Sequence, residues 1–391
     1  MDVRTTLPAD SSKKWFPIGL GIGLVMILVG LQFGLYRIVF IGHETLSNTK
    51  EVPWNIFIVN YAFAISSIGL SYLSSFGIVL GIKQFDIIAR RSLLLAILII
   101  IAGIMSVAVD MRQPMHAIYM LLTPHVTSAL GIVALCINLY LALIILELYL
   151  IIKRGHHDLL VKAVAIAAFA MAVVVHSYHG AIFGLSYSRT FWNGPYYPIY
   201  FLLSALFASS SMIILVTVVT YRVMGKQISE KLHQTLMSVG KVLLAYLLSI
   251  GLFFLYWKMT AGHYFHKKEA YILLTGEYWV NFWVFEVLIG YLIPIVIIAY
   301  SRFKDLNKMA FASFLIIIGI YVGRYDFIIV GQLVPYLGFT PFDSELGGSL
   351  ASLASYAPNL TEIALSIGLF GFIWTGYVLG VKYLPLSKDE E

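Results

Sequence analysis

Two histidines three residues apart stand late in a long apolar run. His176 and His179 belong to the segment AVVVHSYHGAIFGLS, which otherwise has the composition of a membrane span. Residues three apart lie on neighbouring positions of one helical face. Ionisable side chains are costly at this depth, so they usually face a bundle interior or a water-filled cavity. Histidine can bind a ligand by hydrogen bonds and exchange protons near neutral pH. The pair therefore predicts a buried site for chemistry that moves protons.

Ionisable side chains recur at a similar depth in other apolar runs. With a rise of about 1.5 Å per residue, His176 lies about 20 Å from the inner end of its run and Glu286 about 10 Å below the outer surface. Scattered accidents would not share a depth, so we predict that these groups meet in one site. The predicted members besides the histidines are Asp110, Arg112, Glu286, Arg324 and Asp326.

The same residues also have structural interpretations. Buried charges need partners whether or not they act, so Arg324 could pair with Asp326 or with Glu286. Asp110 and Arg112 could simply fix a turn, and either histidine could be satisfied by packing and hydrogen bonds alone.

The inner half of the predicted membrane region holds two isolated charges, Glu147 and Lys241. We interpret them as a mutual ion pair, with a cytoplasmic proton half-path as the alternative.

The composition excludes a soluble globule. Of the 391 residues, 60% are hydrophobic and 12% are charged, and the mean hydropathy is +0.87, which leaves too little charge to cover a surface. The single cysteine, Cys136, excludes disulfides and Cys-ligated zinc or iron–sulfur clusters within the chain. The formal charge of +6 is spread over short loops, which argues against nucleic-acid binding. We predict a protein of the lipid bilayer with no haem, iron–sulfur cluster or metal of its own.

Ten apolar runs are long enough to cross a bilayer, which takes about 20 residues. The predicted fold is therefore all-α, a single polytopic membrane domain over residues 1–391. The predicted spans are 16–41, 54–82, 91–110, 125–152, 161–186, 196–223, 236–261, 278–300, 308–333 and 358–384.

The Lys and Arg residues orient these spans. Seventeen of the 26 lie on the side of the N-terminus and eight on the other side, with Lys241 inside a span. Cytoplasmic loops carry the excess of Lys and Arg. Both termini of this multi-pass protein are therefore predicted to lie on the cytoplasmic side of the cell membrane.

Two segments of the chain are similar to each other. PWNIFIVNYAFAISS from Pro53 and PYYPIYFLLSALFASSS from Pro195 both open a span from outside with proline and aromatic residues, then become rich in serine. The two spans are four apart, which fits a repeat of two four-helix bundles. We predict a first bundle at 54–186, a second at 196–333, and peripheral spans at 16–41 and 358–384.

Short motifs are spread over most of the chain. They are HSxHGxxFG from His176, the turn Arg189-Thr190-Phe191-Trp192, Pro53-Trp54 with Tyr61, Asp110-Met111-Arg112-Gln113-Pro114, Glu286 with Pro294, and Tyr356-Ala357-Pro358 with Glu362. Together they resemble the NrfD/PsrC family of quinone-interacting integral membrane subunits. The tail resembles the longer, ten-span branch that contains HybB, HmcC and DsrP.

The resemblance implies a membrane anchor subunit of a respiratory oxidoreductase complex, which is not a complete enzyme alone. Such a polysulfide reductase-like subunit exchanges electrons between membrane quinone, of the menaquinone type or similar, and a ferredoxin-like iron–sulfur subunit on the outer face. Molybdopterin, hydrogenase or multihaem catalytic subunits are the implied further partners.

Quinol oxidation releases two electrons and two protons, so its site needs hydrogen bonds to the ring oxygens and groups that carry protons away. Buried carboxyl groups and histidines can do this. We predict His176, Glu286 and Asp110 as the catalytic proton carriers. The predicted quinone contacts are His176, His179, Tyr61, Trp192, Arg324, Asp326 and Arg112.

Two other functions fit parts of the sequence. A b-type cytochrome would take histidine ligands from two facing helices, whereas His176 and His179 share one helix and His125 opens another at its outer end. A proton-coupled secondary transporter would also hold a shared polar layer, but the spans lack paired Gly/Pro interruptions at mid-membrane.

Overall fold

The computed structural model describes residues 11–189, 191–245, 250–334 and 354–387. This part of the chain consists of helices joined by turns, and nine of its helices are long and apolar enough to cross a membrane, so the predicted all-α polytopic membrane fold is confirmed. The long helices are α1 (Lys14–Phe40), α2 (Ile56–Ile78), α3 (Lys83–Asp110), α4 (Ala129–Arg154), α5 (Leu159–Gly184), α6 (Tyr197–Val223), α7 (Glu230–Ala245), α8 (Leu252–Tyr264), α9 (Asn281–Ser301), α10 (Leu306–Leu333) and α11 (Leu360–Tyr383).

Nine of the ten predicted spans are confirmed. The largest shift is at α3, which begins eight residues before the predicted start because Arg90 and Arg91 are accommodated inside the helix. Arg90 donates from Nη1 to the carbonyl of Pro385 at 2.8 Å, and the guanidinium of Arg91 lies 5.2 Å from the ring centre of Tyr221. Contacts with Pro385 and Tyr221 thus stabilise the charges of Arg90 and Arg91 at the inner end of the helix.

The remaining predicted span, 236–261, falls on two described helices. Its halves lie on α7 and α8, and residues 246–249 between them lie outside the described part of the chain. α7 packs against α6, α9 and α10. A single continuous helix at this position stays a prediction.

Polar contacts between helix ends show which ends share a side. Asn55, just before α2, donates to Asp110 at the end of α3 at 2.7 Å, and the backbone N–H of Trp54 donates to Gln332 near the end of α10 at 2.9 Å. Arg189, in the turn between α5 and α6, donates to the carbonyl of Gln332 at 3.1 Å. We call this the outer side, because it is predicted to be extracytoplasmic.

Polar side chains mark the starts of several helices. The side chains of Asn55, Asp158 and Asp305 accept hydrogen bonds from backbone N–H groups in the first turns of α2, α5 and α10. At α11, Asn359 and Glu362 form a reciprocal capping box. Such caps satisfy backbone N–H groups that have no partner within the helix.

α1 lies along α11. A Cβ added to Gly30 would come 2.6 Å from the Cα atom of Gly368, so the two backbones touch there. Small residues permit this approach in lipid. α11 also packs along α3. It contacts α6 through the hydroxyls of Tyr377 and Thr220, which lie 3.2 Å apart.

α2, α5, α6 and α10 meet in the outer half of the protein. α2 and α6, which begin in the two similar sequence segments, approach each other at small residues. Ser209 donates from Oγ to the carbonyl of Ser66 at 3.2 Å, and Gly69 lies against the backbone carbonyl of Ala205. The division into two four-helix bundles with two peripheral spans stays a prediction.

Candidate functional site

Tyr61 on α2 and His179 on α5 form a direct hydrogen bond. The Tyr61 hydroxyl lies 2.7 Å from Nε2 of His179. The other ring nitrogen, Nδ1, lies 2.7 Å from the carbonyl oxygen of Val175, one turn earlier. A carbonyl can only accept, so Nδ1 carries a proton, and in a neutral imidazole Nε2 is then the acceptor for the Tyr61 hydroxyl. The pair is therefore oriented so that His179 can receive the Tyr61 proton.

His176, one turn before His179, is fully buried and held by protein groups at both ring nitrogens. Nε2 lies 3.1 Å from the carbonyl oxygen of Ile65. Nδ1 lies 2.9 Å from the Tyr72 hydroxyl and 3.0 Å from the carbonyl oxygen of Ala172. A direct bond from His176 to a ligand would require one of these partners to leave. Of the two histidines, His179 is thus the one whose partner, Tyr61, is only half-buried.

Arg324 of α10 inserts its guanidinium between α2 and α6. Nε and Nη2 donate to Oγ of Ser66 at 3.3 and 3.1 Å, and Nη2 also donates to Ser204. The guanidinium carbon lies 4.3 Å from the ring centre of Phe201. The carbonyl just before Ser66 is the partner of His176, so Arg324 and His176 hold the same turn of α2. The positive charge of Arg324 acts on both imidazoles.

Two buried carboxyl groups lie near Arg324. Glu286 on α9 and Arg324 line one small cavity of about 20 Å³. Asp326 accepts from Asn281 at 2.9 Å. Both carboxyl groups stand on wide π-helical turns, Asn281–Leu292 and Asp326–Val330, a backbone form frequent at functional sites.

The alternative structural interpretation, direct ion pairs of Arg324 with these carboxyl groups, does not hold for the described residues. The guanidinium of Arg324 bonds to the two serine hydroxyls and, among the described residues, makes no ion pair with Glu286 or Asp326. One oxygen of each carboxyl group, Oε2 of Glu286 and Oδ2 of Asp326, is buried with no hydrogen-bond partner in the described part of the chain.

Lys258 on α8 lies near Glu286, Arg324 and Asp326, and the sequence analysis did not include it among the site residues. The orientation of the spans assigns it to the outer side, yet it is buried, with Nζ 4.9 Å from the ring centre of Phe191 and 5.5 Å from that of Phe327. Its charge acts on both Glu286 and Asp326. The available signal is a second lysine, besides Lys241, inside the predicted span 236–261, where an ionisable residue indicates a buried partner.

Asp110 belongs to a separate group of polar residues at the outer surface. It accepts from Asn55 at 2.7 Å and from Asn48 at 3.4 Å. Nearby, Glu362 caps α11 and accepts from the hydroxyl of Tyr356 at 3.2 Å. Burial and the neighbouring carboxylate raise the pKa of Tyr356, so this hydroxyl stays protonated and can donate. Asp110 therefore lies further out than the histidines, near the predicted exit from the membrane.

Trp192 and Arg112 lie outside the histidine cluster. The indole of Trp192 stacks on Trp54 with ring centres 5.1 Å apart and donates from Nε1 to the carbonyl of Phe327 at 2.7 Å. Its ring also contacts Phe183, which stands one turn beyond His179 on α5. Trp192 thus lies on the outer side of His179. Arg112 is exposed.

The predicted ion pair between Glu147 and Lys241 is wrong. Glu147 is fully buried on α4, and neither of its carboxyl oxygens has a hydrogen-bond partner in the described part of the chain. Lys241 is exposed on α7. The predicted pairing rests on depth alone, and depth does not show which helices are neighbours.

Comparison with known proteins places this arrangement in a family. Residues 44–336 match the family model described as "Polysulphide reductase, NrfD". The chain is 26% identical over 378 residues to the "Hdr-like menaquinol oxidoreductase integral membrane subunit" of Archaeoglobus fulgidus, with 94% of this chain and 93% of the relative covered. It is 24% identical over 412 residues to a selenate reductase subunit of Mesobacillus selenatarsenatis, with 95% and 92% covered.

A third relative, from Halobacterium salinarum, is named as a "Putative dimethyl sulfoxide reductase membrane subunit". It is 22% identical over 404 residues, with 94% of this chain and 91% of the relative covered. The family model takes in both sequence segments that carry the buried polar residues, the one with Tyr61 and the histidines and the one with Glu286 and Arg324. Since the match extends over well more than half of a chain that is itself an integral membrane protein, the chain belongs to the NrfD family.

Proposed function

We propose that this chain is the quinone-reactive membrane subunit of a respiratory oxidoreductase complex. It exchanges electrons between membrane quinone or quinol, of the menaquinone type, and an extracytoplasmic iron–sulfur partner subunit, with uptake or release of protons. The name of the Archaeoglobus fulgidus relative, a menaquinol oxidoreductase subunit, supports the choice of substrate. The names of the relatives that are reductase subunits support a catalytic partner in the same complex.

The observation that carries this proposal is the Tyr61–His179 pair. Tyr61 is half-buried, and the nitrogen that faces its hydroxyl is the acceptor nitrogen of His179. When a quinol is oxidised, its O–H proton passes to the Tyr61 oxygen while the Tyr61 proton moves to Nε2 of His179. The 2.7 Å hydrogen bond between Tyr61 and His179 lets the second of these transfers occur without movement of the backbone. In quinone reduction the same path runs backwards.

The second proton of the reaction needs another acceptor. Glu286 is the candidate, since it shares a cavity with Arg324 and one of its carboxyl oxygens has no hydrogen-bond partner among the described residues. Asp110, close to the outer surface, is the candidate for proton release. In this scheme His176 is a positioning residue, because both of its ring nitrogens are taken by α2 and α5.

The two electrons leave or enter on the outer side. The polar cluster, which consists of Tyr61, His176, His179, Arg324 and Glu286, lies in the outer half of the protein, below the aromatic group around Trp192. A ferredoxin-like iron–sulfur subunit on this face, with a molybdopterin, hydrogenase or multihaem subunit beyond it, would complete the electron path. The proposed location is the cell membrane, with both termini in the cytoplasm, because the Lys and Arg excess lies on that side.

The proposal is tested on the complex purified through a tag on this chain. Addition of a menaquinol analogue to the oxidised complex should reduce iron–sulfur centres that are observed by electron paramagnetic resonance, and the His179→Phe complex should respond at a rate about 100-fold lower. Tyr149→Phe, a change of the same kind on the exposed face of α4, is the control. A complex that lacks iron–sulfur centres, or one whose centres ignore quinol, would refute the proposal.

A further inference from the structure

A long apolar groove runs between α11 and the pair α6 and α10. It consists of two adjoining cavities of about 180 and 380 Å³. Both cavities are lined by Leu95, Val216, Phe370 and Ile373, so they form one continuous space. The groove exists because α11 packs mainly on α1 and α3. A side-chain contact with α6 occurs in its inner part, where the hydroxyls of Tyr377 and Thr220 lie 3.2 Å apart.

The groove extends through most of the membrane region. Its outer part reaches Asn60, in the second turn of α2, and Ser366 on α11. Its inner part reaches Val381, 15 residues further along α11 than Ser366. At about 1.5 Å per residue, the distance from Ser366 to Val381 is about 22 Å. Apolar space of this size and length in a membrane protein is filled by a chain molecule, because packed interiors leave few voids larger than a water.

The polar groups of the groove are uncharged. Its lining contains no Lys, Arg, His, Asp or Glu side chain among the described residues. At the outer end, Asn60 donates from Nδ2 to Ser366 Oγ at 2.8 Å and accepts from the Tyr321 hydroxyl at 2.8 Å. An amide has a second N–H and a second lone pair on its oxygen. This end can therefore bind a neutral carbonyl or hydroxyl, and it offers no counter-charge for a phosphate.

The outer end of the groove lies beside the Tyr61–His179 pair. Gly103 and Ala64 line the outer cavity. A Cβ added to Gly103 would come 3.5 Å from Cδ2 of Tyr61 and 2.6 Å from the side chain of Ala64. The ring of Tyr61 thus stands directly behind the cavity wall. A ring bound at Asn60 is thus separated from the Tyr61 ring by this wall, and it must move past the wall before its O–H group can reach the Tyr61 hydroxyl.

We infer that the groove binds a quinone, with the ring at Asn60 and an isoprenoid tail along α11. This inference rests on the proposed function and extends it to the position and tail length of the substrate. The neutral polar end fits the two ring oxygens, the apolar length fits a chain of several isoprene units, and the position beside Tyr61 leads the ring to the reactive pair. A phospholipid acyl chain is the competing occupant.

The test compares quinols with and without a tail. Val216 lines both cavities, so Val216→Phe should obstruct the tail. We expect the KM for a long-tail menaquinol to rise about tenfold or more, with the KM for a tailless naphthoquinol unchanged. Val296→Phe, on the exposed face of α9, is the matched control and should change neither value. Equal changes for both quinols, or no change for either, would overturn the inference.

A second measurement keeps the inference testable if the variant fails to assemble or if the wild-type complex shows no quinol activity. A photoreactive quinone with an isoprenoid tail is bound to the wild-type complex and cross-linked. Labelling of α11 and α6 that excess menaquinone removes supports the groove even where the proposed reaction fails. Labelling of the same helices by a photoreactive phospholipid that menaquinone does not displace would show that a lipid acyl chain fills the groove and would overturn the inference.

Discussion

The Tyr61 hydroxyl on α2 lies 2.7 Å from Nε2 of His179 on α5. The carbonyl of Val175 fixes the proton of His179 on the opposite nitrogen, so this bond has a defined donor and a defined acceptor. The relationship changes which histidine we propose to take part in the proton transfer. Depth alone favours His176, but its nitrogens are committed to Tyr72 and to two carbonyls, whereas His179 reaches outward through Tyr61.

His176→Phe should abolish quinone turnover and also destabilise the subunit. The phenyl ring of the variant fills the same volume, but the Tyr72 hydroxyl loses its buried partner, at a cost of about 1–3 kcal/mol. The Ile65 carbonyl keeps its hydrogen bond from the N–H of Ile68. The midpoint of thermal unfolding in detergent should fall, as measured alongside turnover. A variant with an unchanged midpoint and normal turnover would show that these hydrogen bonds matter neither to the fold nor to the reaction.

Arg324 and Glu286 should be energetically coupled although they form no direct ion pair. Arg324→Gln leaves the Glu286 carboxylate with Lys258 but without Arg324, and Glu286→Gln leaves the cations Arg324 and Lys258 without that carboxylate. The double variant removes one charge of each sign. We expect the double variant to lose less unfolding free energy than the two single variants together, by about 0.5–3 kcal/mol.

The control cycle combines Arg324→Gln with Glu147→Gln, which changes a buried carboxyl group in the inner half of the protein. The losses of unfolding free energy caused by Arg324→Gln and by Glu147→Gln should add to within about 0.5 kcal/mol. Additivity in the Arg324–Glu286 cycle as well would mean that the two charges do not interact.

The side of the membrane assigned to each loop can be read by cysteine labelling. A cysteine at Lys226, which is exposed after α6, should react with an impermeant maleimide only after cells are opened. A cysteine at Met115, 81% exposed on the other side, should react in intact cells. The reverse pattern would invert the topology and move the polar cluster to the cytoplasmic half.

The isolated chain should carry no haem and no stoichiometric iron. His176 and His179 share one helix, and all four of their ring nitrogens have protein partners. In the described part of the chain no group of three or more His, Cys, Asp or Glu side chains is placed to hold a metal ion. A Soret band from the purified chain, or iron in a one-to-one ratio, would disprove this prediction and favour a b-type cytochrome.

The sequence predicts the helices well because a bilayer sets both the length and the composition of a span. It predicts their ends less well, as α3 shows, since Arg90 and Arg91 lie inside the helix once Pro385 and Tyr221 provide partners. The common level of Arg324 and His176 was also predictable, because helix rise is constant, and both residues contact the same turn of α2.

The partners of the buried groups could not be predicted. Helix rise gives the height of Arg324 but not its rotation, so its choice of Ser66 and Ser204 over the carboxyl groups depends on how α2, α6 and α10 pack. The same limit explains the wrong pairing of Glu147 with Lys241. The groove along α11 arises because this helix packs mainly on α1 and α3, and no local pattern in the sequence encodes that choice of neighbours.

The most direct test of the reactive pair is the quinol turnover of Tyr61→Phe. This change removes one oxygen atom and keeps the ring, so the packing of α2 on α5 should remain. The rate of quinol-dependent electron transfer should fall about 100-fold, while Tyr149→Phe, on the exposed face of α4, should turn over like the wild type. If Tyr61→Phe assembles and turns over at the same rate as this control, the proton of the quinol does not pass through the Tyr61–His179 pair and the proposed site is wrong.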